Sequence, residues 1–255
     1  MLRRILFFLY SFKIFRRIVP SFLRLIPTFL VNPQIKIKNF KMILFLKSSI
    51  DREIYLKNTY ESEQVNYVLN FLKNKDFDYF FDIGSYIGYY SLVVNNLVNN
   101  VIAFEPNKAN FARLKMNVKL NNYNIVCYNY ACSDKKSQQK LWFTDINKSG
   151  GSSIFSIGDK EIEKYDKKKI LYENVESVLL DELYNFKNNK VFIKIDVERH
   201  ELNVLKGATK LLSNNKVILQ IEIFPHLKKE LLDYLVKNDF HLLNNINNDY
   251  YLKNF

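Results

Sequence analysis

Residues 79–106 decide the fold: they open with Tyr-Phe-Phe-Asp-Ile-Gly-Ser-Tyr-Ile-Gly-Tyr-Tyr-Ser-Leu and close with Val-Ile-Ala-Phe-Glu-Pro. The first apolar run ends in Asp82 and Ile83, and a turn containing Gly84 and Gly88 follows. An apolar helical segment and a second apolar run, which ends at Glu105, come next. A strand, a glycine turn, a helix and another strand in this order predict a βαβ unit that binds a nucleoside.

Strands and helices continue to alternate on both sides of this unit. Predicted helices cover residues 60–74, 107–120, 201–212 and 226–237, and predicted strands cover residues 125–130, 191–196 and 217–223. Apolar residues around an Asn-rich turn at 240–252 predict a closing antiparallel hairpin. The alternation predicts an α/β fold with a doubly wound, mostly parallel sheet.

Two other stretches lack this regular alternation. Between residues 34 and 56, short runs predict two or three strands, marked by Ile35 and Ile37, by Ile43 and Phe45, and by Ile54 and Leu56. Residues 133–180 form a long polar insertion with a glycine- and serine-rich segment and a charged run. Such an insertion beside a ligand crevice is usually a lid or substrate loop, with a plain exposed loop as the alternative.

The excess of positive charge lies in the first 50 residues. The chain has a formal net charge of +12, yet residues 1–50 contain ten Lys and Arg and no Asp or Glu, which leaves about +2 for residues 51–255. We therefore predict a basic helical and short-strand extension, residues 1–50, ahead of a nearly neutral domain, residues 51–255. A nucleic-acid partner is disfavoured because that domain lacks the basic excess that phosphate binding requires.

Residues 1–30 combine apolar and basic positions. Their longest uncharged run, residues 5–12, is well short of the roughly 20 residues that cross a bilayer. On a helix, apolar residues occupy most of the surface and the basic ones share a sector, namely Lys13, Arg16, Arg17 and Arg24. This pattern favours a helix lying on an anionic membrane surface, and the alternative is a helix pair packed on the domain. The predicted location is cytoplasmic, with peripheral attachment to the inner face of the cytoplasmic membrane as an option.

Five short motifs occur in the order in which one known family carries them. They are Asp-Ile-Gly-Ser-Tyr-Ile-Gly-Tyr-Tyr-Ser (82–91), Ala-Phe-Glu-Pro-Asn (103–107), Ala-Cys-Ser-Asp (131–134), Ser-Gly-Gly-Ser-Ser (149–153) and Ile-Lys-Ile-Asp-Val-Glu (193–198). With these motifs the chain resembles the FkbM family of S-adenosylmethionine-dependent methyltransferases over residues 82–222. The resemblance implies a Rossmann-like class I methyltransferase with a seven-stranded sheet, and S-adenosyl-L-methionine as its cofactor.

The predicted cofactor site follows the first three strands of this domain. Gly84 and Gly88 allow a tight turn and close approach to a ligand, and their Gly-x-x-x-Gly spacing differs from the dinucleotide-binding Gly-x-Gly-x-x-Gly. Asp82 is placed to meet the positively charged methionine portion. Glu105 can accept both ribose hydroxyls or, alternatively, cap the next helix. By resemblance to the family, Asp134 meets the adenine amino group, and an ordinary turn aspartate is the alternative.

The predicted catalytic residues follow the fourth strand. Asp196 and Glu198 lie at the crevice where open α/β sheets bind ligands, so they could deprotonate an acceptor hydroxyl or hold a divalent ion. The family usually has Gly and then a small residue after this acidic pair, whereas this chain has Arg199 and His200. His200 could supply a base, or the two bulky residues could signal reduced activity. Glu222, after the fifth strand, could close the acceptor pocket, with simple solvation at the strand end as the alternative. No metal-ligand spacing links the histidines, so no metal site is assigned.

We expect an O-methyltransferase that acts on a sugar hydroxyl of a surface glycan or of its nucleotide- or lipid-linked precursor. This acceptor is inferred from the family resemblance and from the basic extension. No individual residue in the sequence indicates sugar binding. One alternative is a nucleic-acid methyltransferase, although no Asn-Pro-Pro-Tyr motif for a flipped base follows the fourth strand. Another is a membrane-associated scaffold that binds a nucleoside without turnover.

Overall fold

The computed structural model describes residues 2–25, 34–73, 76–143 and 171–255 of the chain. Its helices are α1 (Leu2–Ser11), α2 (Ile18–Leu25), α3 (Ser49–Lys57), α4 (Ser62–Leu72), α5 (Tyr89–Val94), α6 (Lys108–Leu120), α7 (Leu180–Leu183), α8 (Glu201–Lys206), α9 (Thr209–Ser213) and α10 (Lys228–Lys237). Its strands are β1 (Gln34–Ile37), β2 (Phe40–Ile43), β3 (Tyr79–Ile83), β4 (Asn100–Phe104), β5 (Ile125–Tyr128), β6 (Ala131–Cys132), β7 (Ser137–Phe143), β8 (Leu171–Val178), β9 (Lys190–Ile195), β10 (Lys216–Glu222), β11 (His241–Ile246) and β12 (Asp249–Lys253).

Seven strands form the central sheet in the order β11-β12-β10-β9-β3-β4-β5. Strands β10, β9, β3, β4 and β5 run parallel, and β12 pairs antiparallel with β10 and β11. The predicted doubly wound, mostly parallel sheet and its closing hairpin are confirmed. The chain moves outward from β3 through β4 to β5 and later returns to β9 on the other side of β3. Ligands of open α/β sheets bind in the crevice at such a reversal of strand order.

Apolar side chains cover both faces of the sheet because successive residues of a strand point to opposite sides. Phe80 belongs to a core shared with α3, α4, α5 and α6, and it stacks on Phe192 of β9 with ring centroids 5.2 Å apart. Phe81 and Ile83 belong to a second core, shared with α8, α9 and α10. Two separate cores on one sheet are the physical basis of the doubly wound fold.

One predicted strand before α4 is wrong. The first two alternating runs fall in or beside the antiparallel hairpin of β1 and β2, but Ile54 and Leu56 lie in helix α3. Ser48 caps this helix by accepting a hydrogen bond from the backbone nitrogen of Asp51 at 3.4 Å. Asn58 ends it in left-handed backbone conformation. Capping at both ends stabilises a helix whose few apolar residues also fit a strand.

The helix predicted over residues 201–212 is divided into α8 and α9. Gly207 follows α8, and Ala208 has non-helical dihedrals, with φ −122° and ψ 15°. A Cβ atom on Gly207 would lie 1.9 Å from the carbonyl oxygen of Ser133. The helix is interrupted where these two backbone segments touch.

The insertion over residues 133–180 contains more regular structure than the sequence indicates. Strands β7 and β8 pair antiparallel, and β6 pairs parallel with β8. Leu141 of β7 and Val175 of β8 form a small core together with Ala131. The glycine- and serine-rich segment and the charged run on which the lid prediction depends lie outside the described residues.

Helices α1 and α2 pack against α3. Leu6, Val19 and Leu23 are at most 5% exposed and lie in the same core as Phe80. The packing that the sequence offered as an alternative to membrane binding is therefore present on one side of these helices. The division between an extension of 50 residues and a domain stays a prediction. Within the described ranges, every helix is too short or too polar to span a bilayer.

Candidate functional site

A pocket of about 180 Å³ lies at the carboxyl ends of β3, β4, β9 and β10, beside the reversal of strand order. Seven of the nine predicted site residues line it, namely Asp82, Gly84, Glu105, Asp196, Glu198, His200 and Glu222. Gly88 and Asp134 are not part of its lining. Residues separated by more than 100 positions in sequence thus meet around one pocket.

Gly84 and Gly88 shape the turn between β3 and α5. Their φ angles are 82° and 85°, a backbone region that glycine adopts without strain. A Cβ atom at Gly84 would lie 1.8 Å from the carbonyl oxygen of Asp196, and one at Gly88 would lie 2.5 Å from Cδ1 of Leu114. Glycine is therefore needed at both positions for packing inside the protein. The absence of a side chain at Gly84 lets the turn approach the end of β9 closely.

Asp82 is a buried carboxylate with an unused acceptor atom. Its Oδ2 accepts hydrogen bonds from the backbone nitrogen of Ser91 at 3.0 Å and from the Ser91 hydroxyl at 2.6 Å. Among the described residues, its buried Oδ1 has no hydrogen-bond partner. Burial raises the pKa of Asp82. A buried acceptor without a partner in a pocket wall fits a ligand that brings a hydrogen-bond donor or a positive charge.

Glu105 joins the pocket to the start of α6. Its Oε1 accepts a hydrogen bond from the backbone nitrogen of Asn107 at 2.9 Å, and its Oε2 accepts one from the backbone nitrogen of Tyr86 at 2.9 Å. Burial raises the pKa of Glu105 to about 8. The side-chain amide of Asn110 also donates to Oε1, at 3.5 Å, whereas Oε2 can accept a second hydrogen bond and so has room for a ligand hydroxyl.

Lys194 is a buried cation in the pocket wall. It is 3% exposed, and its Nζ lies 2.8 Å from Oδ2 of Asp196 and 4.7 Å from the ring centroid of Tyr90. Burial opposes its charge, but the carboxylates of Asp196, Asp82 and Glu61 outweigh burial and raise its pKa. Among the described residues that line the pocket, no other is Lys or Arg.

Two more carboxyl groups accompany Asp196 in the pocket. Burial, with repulsion from Asp196, raises the pKa of Glu198 to about 7 and that of Glu222 to about 9. Asp196 itself is 31% exposed. A carboxylate whose pKa lies near neutral pH is suited to take a proton during a reaction.

His200 and Asp134 both contact Ser133. The Ser133 hydroxyl lies 2.9 Å from Nε2 of His200, and it donates to Oδ1 of Asp134 at 3.2 Å. Burial lowers the pKa of His200 to about 4, so the imidazole is neutral at pH 7. A histidine with this pKa is a poor base near neutrality.

The turn after Asp196 adopts unusual backbone dihedrals. Glu198 and Arg199 have φ angles of 52° and 80°. Glycine adopts this left-handed region without strain, whereas side-chain-bearing residues such as Glu198 and Arg199 adopt it at an energetic cost. The Arg199 guanidinium lies 5.1 Å from the ring centroid of Phe224, within the range of a cation–π contact.

Sequence reasoning missed several pocket residues. Glu61 lines the pocket, and its Oε2 accepts a hydrogen bond from the Tyr90 hydroxyl at 2.8 Å. The sequence indicates only a helix start at Glu61 and a packing aromatic at Tyr90. Ile50 and Ile54 bring α3 into the pocket wall as well. No local motif marks these residues, because the packing of α3 and α4 on the sheet brings them together.

Metal ligation finds no support in the described part of the chain. There, no group of three or more His, Cys, Asp or Glu side chains is arranged to hold a metal ion.

Comparison with known proteins identifies a methyltransferase domain. The model of the family described as "Methyltransferase FkbM domain" matches residues 82–242. A curated relative, hexuronic acid methyltransferase AglP from Haloferax volcanii, is 32% identical over 145 residues. The match covers 56% of this chain and 56% of the relative, so the chain spans about half the length of that protein.

Solved structures with a similar fold are distant. The tRNA (uracil-54, C5)-methyltransferase of Pyrococcus abyssi, in complex with S-adenosyl-L-homocysteine, is 11% identical with a TM-score of 0.46, covering 86% of this chain and 43% of that one. The ribosomal protein L11 methylase of Lactobacillus delbrueckii subsp. bulgaricus is 13% identical with a TM-score of 0.45, covering 76% and 78%. At this distance nothing about an acceptor follows from them.

Proposed function

The chain belongs to the FkbM methyltransferase family, and we propose that it transfers the methyl group of S-adenosylmethionine to a sugar hydroxyl. The acceptor would be a surface glycan or its nucleotide- or lipid-linked precursor. The family domain uses S-adenosylmethionine as its methyl donor. The curated relative is a hexuronic acid methyltransferase, which supports a sugar as the acceptor class.

The pocket residues fit the donor. Asp82 offers an unused, buried acceptor atom for the positively charged methionine portion. Glu105 offers carboxylate lone pairs for the ribose hydroxyls. When bound, the donor supplies an electrophilic methyl group on a sulfonium. Asp134 contacts Ser133 and does not line the pocket, so its proposed contact with adenine has less support than the other two.

The cluster of Asp196, Glu198 and Glu222 is the structural observation that supports a hydroxyl-bearing acceptor. Carboxyl groups accept hydrogen bonds when ionised and also donate one when protonated, so these three groups in the pocket that also contains Asp82 suit the hydroxyls of a polyol. We assign Glu198 as the base because its pKa of about 7 matches neutral operation. Asp196, paired with Lys194, serves to orient the hydroxyl. His200 has less support as the base because its pKa is about 4.

The proposed reaction is a direct displacement. The acceptor oxygen forms a bond to the methyl carbon while the carbon–sulfur bond breaks, and the hydroxyl proton passes to Glu198. The products are a methyl ether and S-adenosylhomocysteine, and Glu198 then releases its proton to water. The protein contributes mainly by aligning donor and acceptor and by excluding water.

The test is incubation of the full chain with donor labelled in the methyl group, offered to fractionated cell envelope, nucleotide-sugar pools and RNA. Label in a carbohydrate fraction that survives mild alkali supports an ether on a hydroxyl. Label lost in alkali would identify a methyl ester on a carboxyl group and overturn the hydroxyl assignment. Label in RNA would overturn the sugar assignment.

A variant pair tests the base. E198Q should reduce turnover at least about 100-fold while leaving donor affinity within about twofold. E230Q, on the exposed surface of α10, is the matched control and should have wild-type turnover. Wild-type turnover by E198Q would remove Glu198 from the proposal.

A further inference from the structure

Helices α1 and α2 carry apolar side chains on their outer sides as well as on the sides that pack on the protein. Residues spaced by three, four or seven positions share one side of a helix. Five such residues are 47–80% exposed, namely Ile5 and Phe8 of α1 and Ile18, Phe22 and Leu25 of α2, and Phe12, just after α1, is 49% exposed. The rings of Phe8 and Phe12 contact edge to face with centroids 5.1 Å apart. We call these six residues the outer stripe.

The outer stripe belongs to helices that are anchored on the protein. On other sides of the same helices, Leu6, Val19 and Leu23 are at most 5% exposed. The guanidinium of Arg3 donates a hydrogen bond to the carbonyl oxygen of Tyr55 at 2.6 Å and lies 5.1 Å from the Tyr55 ring centroid. Exposure of the stripe therefore does not arise from a lack of packing, because each helix already has a buried side.

The charged side chains of α1, α2 and the segment between them are of one sign. Four basic residues near it are exposed: Lys13, Arg16, Arg17 and Arg24. Residues 1–50 contain no Asp or Glu. An apolar helix face with Lys and Arg beside it binds in the plane of a bilayer, since the apolar side chains enter the acyl boundary and the cations attract anionic headgroups.

We infer that the outer stripe docks on an anionic lipid bilayer, with α1 and α2 lying in the plane of its surface. The apolar side chains enter the boundary of the acyl region, and the four basic residues meet the headgroups. A second copy of the chain is a poorer occupant, because a two-fold contact through this surface would bring the same basic residues together. Since α3 packs on both helices and also lines the pocket, docking holds the pocket one helix away from the membrane.

Vesicle co-sedimentation of the full chain tests this inference. Wild-type protein should sediment with vesicles of phosphatidylcholine and phosphatidylglycerol, less with phosphatidylcholine alone, and less at high salt. F8S/F22S and R16E/R17E should each lower binding at least about tenfold. V236S and K229E are matched controls on exposed positions of α10, where Val236 is 66% exposed, and should bind as wild type.

Donor affinity, measured on every variant, reports whether the fold is intact. Reduced vesicle binding with unchanged donor affinity supports the inference. Wild-type binding by F8S/F22S overturns it, and equal binding to both vesicle types overturns the role of the charges. Self-association that F8S/F22S abolishes, without vesicle binding by the wild type, would identify a second copy as the occupant and overturn the inference.

Discussion

The ammonium nitrogen of Lys194 lies 2.8 Å from a carboxylate oxygen of Asp196, two positions further along the chain at the end of β9. The carboxylates of Asp82 and Glu61 also stabilise the charge of this lysine. The pocket therefore holds several acidic groups around one buried cation. Without a ligand, Lys194 is the one Lys or Arg among the described pocket-lining residues that offsets the negative charge of these groups.

Replacing this cation should destabilise the protein. K194M should lower the free energy of unfolding by about 2 to 3 kcal/mol, less than the ~3–5 kcal/mol of a fully buried broken pair, because Asp196 is 31% exposed. Denaturant unfolding monitored by circular dichroism measures the loss. K194M/D196N should recover part of it, since the double variant removes one uncompensated charge.

The control for this prediction lies on the same strand. Lys190 begins β9 and is exposed, so K190M should change the free energy of unfolding by less than about 0.5 kcal/mol. If K194M had the free energy of unfolding of the wild type, the pocket carboxylates would not need Lys194 to be tolerated in the folded protein.

Buried carboxyl groups should make the ligand-free protein less stable as pH rises. Burial raises the pKa of Glu105 to about 8 and that of Glu201 to about 7, above the ordinary value of 4.5. Between pH 4.5 and 8 these groups hold more protons in the folded state than in the unfolded state. The free energy of unfolding should therefore fall over this interval, by about 1 kcal/mol or more.

One variant tests whether Glu201 contributes to this decrease of the free energy of unfolding with pH. Glu201 is fully buried, and among the described residues its Oε2 has no hydrogen-bond partner. E201Q should flatten the dependence of stability on pH between about pH 5 and 7, as measured by denaturant unfolding at several pH values. E230Q, at an exposed position, should leave the slope unchanged. A slope in E201Q equal to the wild type would contradict the assignment.

Removing the carboxylate of Glu105 should weaken donor binding. Its proposed hydrogen bonds to the ribose hydroxyls correspond to about 1 to 3 kcal/mol, so E105A should bind S-adenosylmethionine roughly 5- to 150-fold more weakly by calorimetry. E176A, on the exposed side of β8, is the control and should bind normally. Unchanged affinity in E105A would mean that Glu105 serves only its hydrogen bonds within the protein, to Tyr86, Asn107 and Asn110.

Arg199, one of two residues with left-handed backbone dihedrals in the turn after Asp196, offers a test of backbone strain. R199G and R199A both remove the contact with Phe224, and they differ in how well they tolerate a φ of 80°. R199G should be more stable than R199A by about 1 kcal/mol. Thermal unfolding of the two variants side by side measures this difference. Equal stability would mean that the turn relaxes when the arginine is removed.

The fold and part of the site could be predicted because they are encoded locally. Apolar runs that end in acids, a glycine turn and alternating helices are short-range patterns, and the parallel sheet follows from them. The same patterns failed in α3, where caps at Ser48 and Asn58 stabilise a helix over residues that also fit a strand. They failed again at Gly207, where contact with the backbone of Ser133 interrupts a helix.

The sequence by itself determined the βαβ unit and placed Asp82, Glu105 and Asp196 at the ends of their strands, because parallel strands bring their carboxyl ends to one edge. Only the tertiary structure decided that Glu61 and α3 join the pocket, since these contacts depend on how helices pack against the sheet. It also decided that Lys194 faces several carboxylates at once. Burial, which sets the pKa of each of these groups, is a property of the folded chain.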